Sequence, residues 1–481
     1  MTEVWKKNRW ISLLTAAVLL FTGAASFAET QNADLPIQQE RAEEAAEDAG
    51  AEASPSIFEN EEINRLIDEN YLEIEKKGYV ELRIPMELHH ITMDYIPADC
   101  LETARRLLDA GYTAYVVGGA VRDLINGTET SDFDLTTNAT VAQMQEIFGE
   151  DLYLHSTQTG YTFAGIHYPS GPVDLATHLN IPAAYAGLEN MPDFDPTQLY
   201  SDNLMFDAIE RDMSINALFY DVSTGDLVDF HGGLHDLREK ILNSMAPPEV
   251  QYMFDPASAI RALRFKARYG YSFSPAVEQA MRAHAREFID RADANTVSSQ
   301  LPRFFPAGYA RESYEVLLDY GVFRSLLPVT GDLADTEAYQ DWCRKAMDFM
   351  DAWYLENGTH ANEFAFAVFL WPVIQARLAP EDSGSFYALL RAIVDVMEEF
   401  HQRCNFFAYR MDFLSQVLVL QSVLTDPESL KKPEGLIGQD AFETAFVLLQ
   451  IRSQSGEDSL ADTVTAWAEA IYKTLSEEER Q

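Results

Sequence analysis

The strongest constraint in this sequence is one ordered series. The apolar triplet Tyr115-Val116-Val117 runs into Gly118-Gly119, then Ala120-Val121-Arg122-Asp123, and Asp132-Phe133-Asp134 follows shortly after. The triplet predicts a short strand entering a turn, because aromatic and β-branched residues suit a pleated surface and paired glycines do not. Residues 133–136 predict a second strand. Residues i and i+2 of a strand share a face, so Asp132 and Asp134 are expected to project together while Phe133 turns to the core. Two carboxylates so placed can share divalent cations that activate an attacking hydroxyl and steady a leaving pyrophosphate. The glycines let backbone approach a triphosphate closely, since no Cβ intervenes. An isolated Asp-x-Asp or Gly-Gly is more simply a turn. Strand, Gly-Gly, helix, strand and Asp-x-Asp in order over residues 115–134 are not explained that way. Asp174, between Val173 and Leu175, is the candidate third carboxylate.

Around this series the chain reads as α+β: a small mixed-sheet head followed by a long all-helical body. Residues 98–110 have helical spacing, with Gly111 placed to end them. Thr140 can cap a helix carrying Met144, Ile147 and Phe148. Residues 161–167 and 173–176 predict two further strands. Beyond about Asn203 strand signals become scarce, and 207–219, 255–269, 276–289 and 313–320 read as helices. The pattern continues through 335–481 with aromatic-rich apolar faces. Residues 60–80 also have an amphipathic helical spacing. With 481 residues, 47% of them hydrophobic, the chain can bury a large core and has room for two to four domains.

The N-terminus is separate. Lys6, Lys7 and Arg9 precede an apolar run over residues 10–25, and Ser26-Phe27-Ala28 offers a small-x-small cleavage site. That is the form of a secretory signal peptide over 1–28, and it implies an exported protein, periplasmic or secreted. Residues 29–62 are rich in Ala, Glu and Asp and read as an acidic, disordered linker. No other segment is long and apolar enough to span a membrane, which needs about 20 residues. Cys100, Cys343 and Cys404 are odd in number, scattered and without metal-ligand spacing, so buried thiols are expected. Against 35 Lys and Arg stand 77 Asp and Glu, a formal net charge of -42. A field of that sign repels phosphate backbones, so a nucleic-acid site must be a local basic patch or rely on bound cations.

Residues 115–140, reading YVVGGAVRDLINGTETSDFDLTTNAT, resemble the head motif of the class II family of tRNA nucleotidyltransferases and bacterial poly(A) polymerases. Residues 210–218 (ERDMSINAL) resemble the family's ribose-contacting motif, and 229–237 (DFHGGLHDL) its hinge motif. Asp255-Pro256 with Arg261, Leu263, Arg264 and Phe265 resembles the helix that reads the base and touches the triphosphate. Segments 89–92, before the first helix, 305–314 and 364–372 are similar to the poly(A) polymerase branch, though the last two are most simply core helices. The resemblance implies a nucleotidyltransferase head over 87–205, a helical nucleotide-recognition neck over 206–330, and a helical RNA-binding-like body over 331–475. It implies Asp132, Asp134 and Asp174 as catalytic carboxylates, the first two holding Mg²⁺. Gly118, Gly119, Arg122 and Asp123 would cradle the triphosphate. Arg211, Asp212 and Asn216 would set the ribose, with Asp255, Arg261 and Arg264 at the base and phosphates. ATP or another NTP and an RNA 3′ end are the implied partners. The family's usual compartment would be cytoplasmic, in conflict with the leader.

Four departures accompany the resemblance. Where the family has Glu-Asp-x-x-Arg at the base-reading helix, this chain has Phe254, Asp255, Pro256, Ala257 and Ser258. A serine offers neither the reach nor the planar fork of an arginine, so base choice is expected to be relaxed or differently enforced. Glu210 replaces the first of two arginines in the ribose motif, and His178 stands where an arginine commonly follows the third-carboxylate strand. The C-terminal body carries Asp426, Glu428, Lys431, Lys432, Glu434, Asp440 and Glu443 rather than a basic track. The remaining basic cluster is Arg261, Arg264, Lys266 and Arg268, with Arg238 and Lys240 nearby. Adenylate addition to RNA is the leading expectation. CCA addition to tRNA, and a catalytically weakened exported binding protein, are the alternatives.

Overall fold

The computed structural model describes residues 57–474, apart from 129, 131, 157–161, 190, 306–307, 358–362, 380, 382–383 and 456. The leader expected over 1–28, and the linker up to residue 56, lie outside the described residues. Residues 57–62, which the sequence assigns to that linker, form the 3-10 turn Ile57–Glu59 and the start of the helix Glu61–Lys77. Asn60 caps this helix by accepting from the backbone N–H groups of Glu62 and Ile63.

The described residues form two units. One comprises residues up to Ser258 together with Tyr271–Ala283, and the other Ala259–Gly270 and the residues from His284 onward. The first unit is built on an eight-stranded sheet: β1 (Leu82–Ile84), β2 (Tyr115–Val117), β3 (Asp134–Thr137), β4 (Leu152–Ser156), β5 (Thr162–Tyr168), β6 (Gly171–Thr177), β7 (Leu218–Asp221) and β8 (Leu227–Asp229). Their spatial order is β1-β8-β7-β2-β3-β6-β5-β4. Only β3 and β6 run parallel within it; the other neighbours are antiparallel. Two further strands, β9 (Ile241–Leu242) and β10 (Ser272–Phe273), pair in parallel. The expected mixed-sheet head is therefore present, and the sheet draws on residues 82–84 and 218–229 as well as the interval 87–205.

Several local expectations match. The helix Ala98–Asp109 and the strand Tyr115–Val117 lie where their patterns put them. Thr140 caps Val141–Phe148 in a full capping box with Gln143. Other expectations do not. Residues 207–219 are not one helix: Leu204–Glu210 is helical, Ser214–Asn216 is a 3-10 turn, and Leu218 already belongs to β7. Strands therefore continue past Asn203. The reason is that β7 is buried at all four positions, so it lacks the alternation that announces a half-buried strand. The strand expected over 133–136 begins at Asp134, which leaves Asp132 just ahead of it.

The second unit is helical. Glu337–Asn357, Glu363–Ala376, Phe386–Arg403, Ala408–Leu424, Phe442–Gln454 and Ala461–Thr474 are its longer members. Glu363–Ala376 buries ten of its residues, and Phe305, Phe366, Phe369 and Phe400 interlock around it with ring centroids 5.2–6.4 Å apart. Cys100, Cys343 and Cys404 are all buried free thiols, as expected. No helix among the described residues is long and apolar enough to cross a membrane.

Candidate active site

Strand register assembles the site. Residues directly opposite one another in a sheet share a face. Phe219 pairs with Val117, Val117 with Asp134, Asp174 with Gly165, and Gly165 with Tyr153. Asp134 and Asp174 each lie one residue before the parallel pair Leu135↔Leu175. One transverse row thus runs Phe219–Val117–Asp134–Asp174–Gly165–Tyr153. Its β7–β2 end is roofed by apolar side chains that include Leu204, Ala208, Phe230 and Met245. Its other end stays open, and Asp174 is exposed there.

The row crowds negative charge. Burial pushes the Asp134 carboxyl up from 3.8 to about 7; Asp132 and Asp174 push in the same direction and Arg211 opposes them. The three carboxylates foreseen from sequence are therefore electrostatically coupled, although Asp132 lies outside the strand. Arg211 is the counter-charge. Burial works against its positive form, but its ion pair with Asp207 (2.9 Å), with Glu210 and Asp134, more than offsets that. Asp207, buried at 1% exposure, also accepts from the Leu179 N–H at 2.8 Å. No motif marked Asp207; it sits on a helix, where an acidic residue reads as solvated surface.

The Gly-Gly turn lies between two guanidinium groups. Gly118 has φ +80°, a conformation that L side chains rarely adopt, and a Cβ there would stand 3.6 Å from Nη1 of Arg211. A Cβ on Gly119 would meet Nη2 of Arg122 at 3.4 Å. Arg122 is buried and engaged: Nε and Nη2 donate to Asp123, and Nη1 donates to Oδ1 of Asn216 at 2.5 Å. Asn216 in turn donates to Asp212 at 3.0 Å. The predicted triphosphate and ribose residues Arg122, Asp123, Asp212 and Asn216 are thus one hydrogen-bonded chain, with Gln251 tying the Asp212 carbonyl to a neighbouring helix at 2.6 Å. Gly233 permits the hinge motif to close on the ribose motif, because a Cβ there would lie 2.3 Å from the Ser214 carbonyl oxygen. Beside it, Ser214 donates to Asp236 at 2.5 Å.

Asp255 precedes the helix Pro256–Tyr269 and accepts from the Ala257 N–H and from the Ser258 hydroxyl. The serine that replaces the expected arginine is thus turned onto the aspartate as part of the helix start. Arg261 and Arg264 belong to the helical unit. There Arg264 is buried, its guanidinium 4.7 Å over the Phe265 ring. Burial lowers its pKa, Arg303 and Arg268 add to that, and Tyr309 opposes it.

A family model described as the poly A polymerase head domain matches residues 114–243. Poly(A) polymerase I of Salmonella typhimurium is 29% identical over 412 residues, covering 80% of this chain and 84% of that protein. The chain carries the head domain of the poly(A) polymerase family, and its relatives are nucleotidyltransferases of class II. A CCA-adding enzyme of Lactobacillus helveticus is 27% identical over 235 residues, covering 48% of this chain and 56% of that one. Among solved structures, the Thermotoga maritima CCA-adding enzyme complexed with tRNA aligns with a TM-score of 0.51 at 17% identity, over 83% of this chain and 84% of that one. A tRNA nucleotidyltransferase complexed with a primer tRNA and an incoming ATP analog aligns with a TM-score of 0.53 at 19% identity, over 77% and 98%. These structural likenesses show a shared fold: mixed-sheet head and helical body.

As a nucleotidyltransferase the chain is an enzyme, and its departures can be located. His178 is buried at 1% exposure near Asp207 and Arg211, with burial lowering its pKa. It therefore brings no fixed positive charge where the family commonly has one. Glu210 adds its charge to the field around Arg211. The site fits a hard divalent cation: an open face, coupled carboxylates, and one carboxyl raised by burial and by its acidic neighbours. Among the described residues no three His, Cys, Asp or Glu form a closed metal cluster. A small cation held by one or two carboxylates, with water and phosphates completing its shell, requires none.

Proposed function

We propose that this protein is a template-independent RNA 3′-end nucleotidyltransferase that adds adenylate from ATP, of the poly(A) polymerase kind. The observation that carries the reading is the pair Asp134 and Asp174 in one row of the sheet, with Asp132 coupled to Asp134 just ahead of the strand, beside Gly118-Gly119. In the reaction the RNA 3′-oxygen bonds to the α-phosphorus of ATP, the bond to the β-phosphate breaks, and pyrophosphate and the hydroxyl proton are released. Asp132 and Asp134 would hold Mg²⁺, which supplies charge neutralisation to the triphosphate and favours the ionised attacking oxygen. The remaining work is positioning by the chain itself. Gly118 and Gly119 admit the triphosphate against backbone, with Arg211 alongside as a fixed positive charge. The Arg122–Asn216–Asp212 chain presets the ribose side of the pocket. Asp174 extends the negative field toward the open end of the face, and Asp255 sits at the base-reading helix with Ser258 as its partner. Arg261 and Arg264 are assigned to the phosphates by motif resemblance.

Similarity over four-fifths of the chain to a poly(A) polymerase, against about half for the CCA-adding enzyme of Lactobacillus helveticus, favours adenylate addition to general RNA. The likeness of fold to tRNA-bound CCA-adding enzymes favours the second reading, addition of C, C and A to tRNA. The full chain, incubated with Mg²⁺, generic RNA or tRNA, and each nucleotide singly and together, separates them. Runs of A on generic RNA with pyrophosphate release, abolished by Asp132→Ala plus Asp134→Ala, are expected. Extension confined to tRNA and stopping after C, C and A would establish the second reading. Nucleotide binding indifferent to metal and to both substitutions, with no extension, would refute both and leave a binding scaffold.

A further inference from the structure

The row that carries the carboxylates ends in a residue that no motif singles out. Tyr153 on β4 pairs with Gly165 on β5, and Gly165 pairs with Asp174 on β6. Tyr153 and Asp174 are therefore two strand spacings apart, roughly 9.5 Å of backbone separation. The Tyr153 hydroxyl nevertheless donates to Oδ1 of Asp174 at 3.1 Å. It reaches because Gly165 has no side chain: a Cβ there would stand 2.3 Å from Cζ and from the hydroxyl oxygen of Tyr153. The ring lies across the bare glycine like a strut. His167, two residues along β5 on the same face, stacks with it at 4.3 Å between centroids and 19° between planes. Glycine weakens a strand interior and commonly marks a close approach of another group. The approaching group here is this ring, aimed along the catalytic row.

We propose that Tyr153, seated on Gly165, is a positioning residue that fixes the Asp174 carboxylate in the orientation the divalent-cation site requires. An exposed aspartate side chain on a sheet surface rotates freely, and one directed hydrogen bond from a ring with two torsions removes much of that freedom. Outer partners of a carboxylate act in this way on metal sites, and their loss typically lowers metal affinity or activity about 10- to 100-fold. This inference rests on the reading of Asp174 as a member of the active site.

Tyr153→Phe keeps the ring on Gly165 and removes only the hydroxyl. The expected result is a fall of about ten-fold in kcat, little change in KM for ATP, and an unchanged melting temperature. Titration of the full chain with Mn²⁺, followed by electron paramagnetic resonance, should show a similar loss of cation affinity without any turnover. Gly165→Ala, which displaces the ring with its hydroxyl intact, should reproduce both effects. In an Asp174→Asn background, Tyr153→Phe should add no further loss to either readout. If Asp174→Asn disables the enzyme while Tyr153→Phe leaves kcat and Mn²⁺ affinity at wild-type values, the positioning role is refuted and the active-site reading stands. If Tyr153→Phe still lowers both in the Asp174→Asn background, Tyr153 acts elsewhere and the proposal fails. If Asp174→Asn itself changes nothing, the assignment of Asp174 falls, and this inference falls with it.

Discussion

Neutralising Asp134 in metal-free protein should stabilise the mixed-sheet unit, and only where the carboxyl would otherwise be ionised. Burial, with Asp132 and Asp174, raises this group from 3.8 to about 7 in the folded chain. Below about pH 4 it is protonated in both folded and unfolded chains and contributes nothing. Between about pH 4 and 7 the unfolded chain has released a proton that the folded chain retains, so each pH unit removes about 1.4 kcal/mol of stability. Above about pH 7 both states are ionised and the penalty is complete, near 4 kcal/mol by the same arithmetic, roughly three units at about 1.4 kcal/mol each. Asp134→Asn lacks the penalty at every pH. Urea unfolding in chelator should therefore show the two proteins alike near about pH 4 and the variant more stable by about 4 kcal/mol at about pH 8. A divalent cation added at the higher pH should stabilise the wild type and leave the variant nearly unchanged, because it supplies the missing counter-charge. Parallel stability profiles for the two proteins across that range would refute the crowding on which the active-site reading rests.

Other perturbations test other parts of the site. Asp207→Ala leaves Arg211 without its ion-pair partner and the Leu179 N–H without its acceptor. It should cost about 3–5 kcal/mol by chemical denaturation and depress turnover together with ATP binding. Gly233→Ala forces a Cβ against the Ser214 carbonyl and should destabilise by about 1–3 kcal/mol. Its ATP affinity by calorimetry should fall, since the 3-10 turn Ser214–Asn216 carries the asparagine bonded to Arg122. Residues 1–40 fused to a reporter active only outside the cytoplasm should confer activity; a silent fusion would overturn the export expectation.

The head was legible in sequence wherever its signal was local. The strand into Gly118-Gly119, the Thr140 cap and the carboxylates Asp132, Asp134 and Asp174 each follow from adjacent residue types. What escaped depends on burial or on register. The start of β7, Leu218 and Phe219, falls at the end of an expected helix because the strand is buried on both faces and shows no alternation. Asp207 resembles any acidic residue on a helix until Arg211 is found against it. The strut from Tyr153 to Asp174 involves positions 21 residues apart in sequence, joined only through a glycine on the strand between them. A single sequence contains no pairing register, so no spacing rule could have brought those three together.

The same distinction sharpens the question of base choice. Read from sequence, Ser258 in place of arginine means one lost hydrogen-bonding fork. In the structure the change also engages its neighbour, because one Asp255 oxygen accepts from the Ala257 N–H and the other from Ser258. A carboxylate already serving a helix start has fewer lone pairs to offer a base edge, and a buried serine cannot replace them. Discrimination by a paired donor and acceptor is therefore weakened on both partners at once. On the proposed reading the triphosphate and ribose contacts are untouched by this, since Gly118, Gly119, Arg211 and the Arg122–Asn216–Asp212 chain do not involve Asp255 or Ser258. A site of this kind would hold a nucleotide chiefly by the parts all nucleotides share. Selection among bases would then fall to shape and stacking, which separate purines from pyrimidines better than they separate A from G.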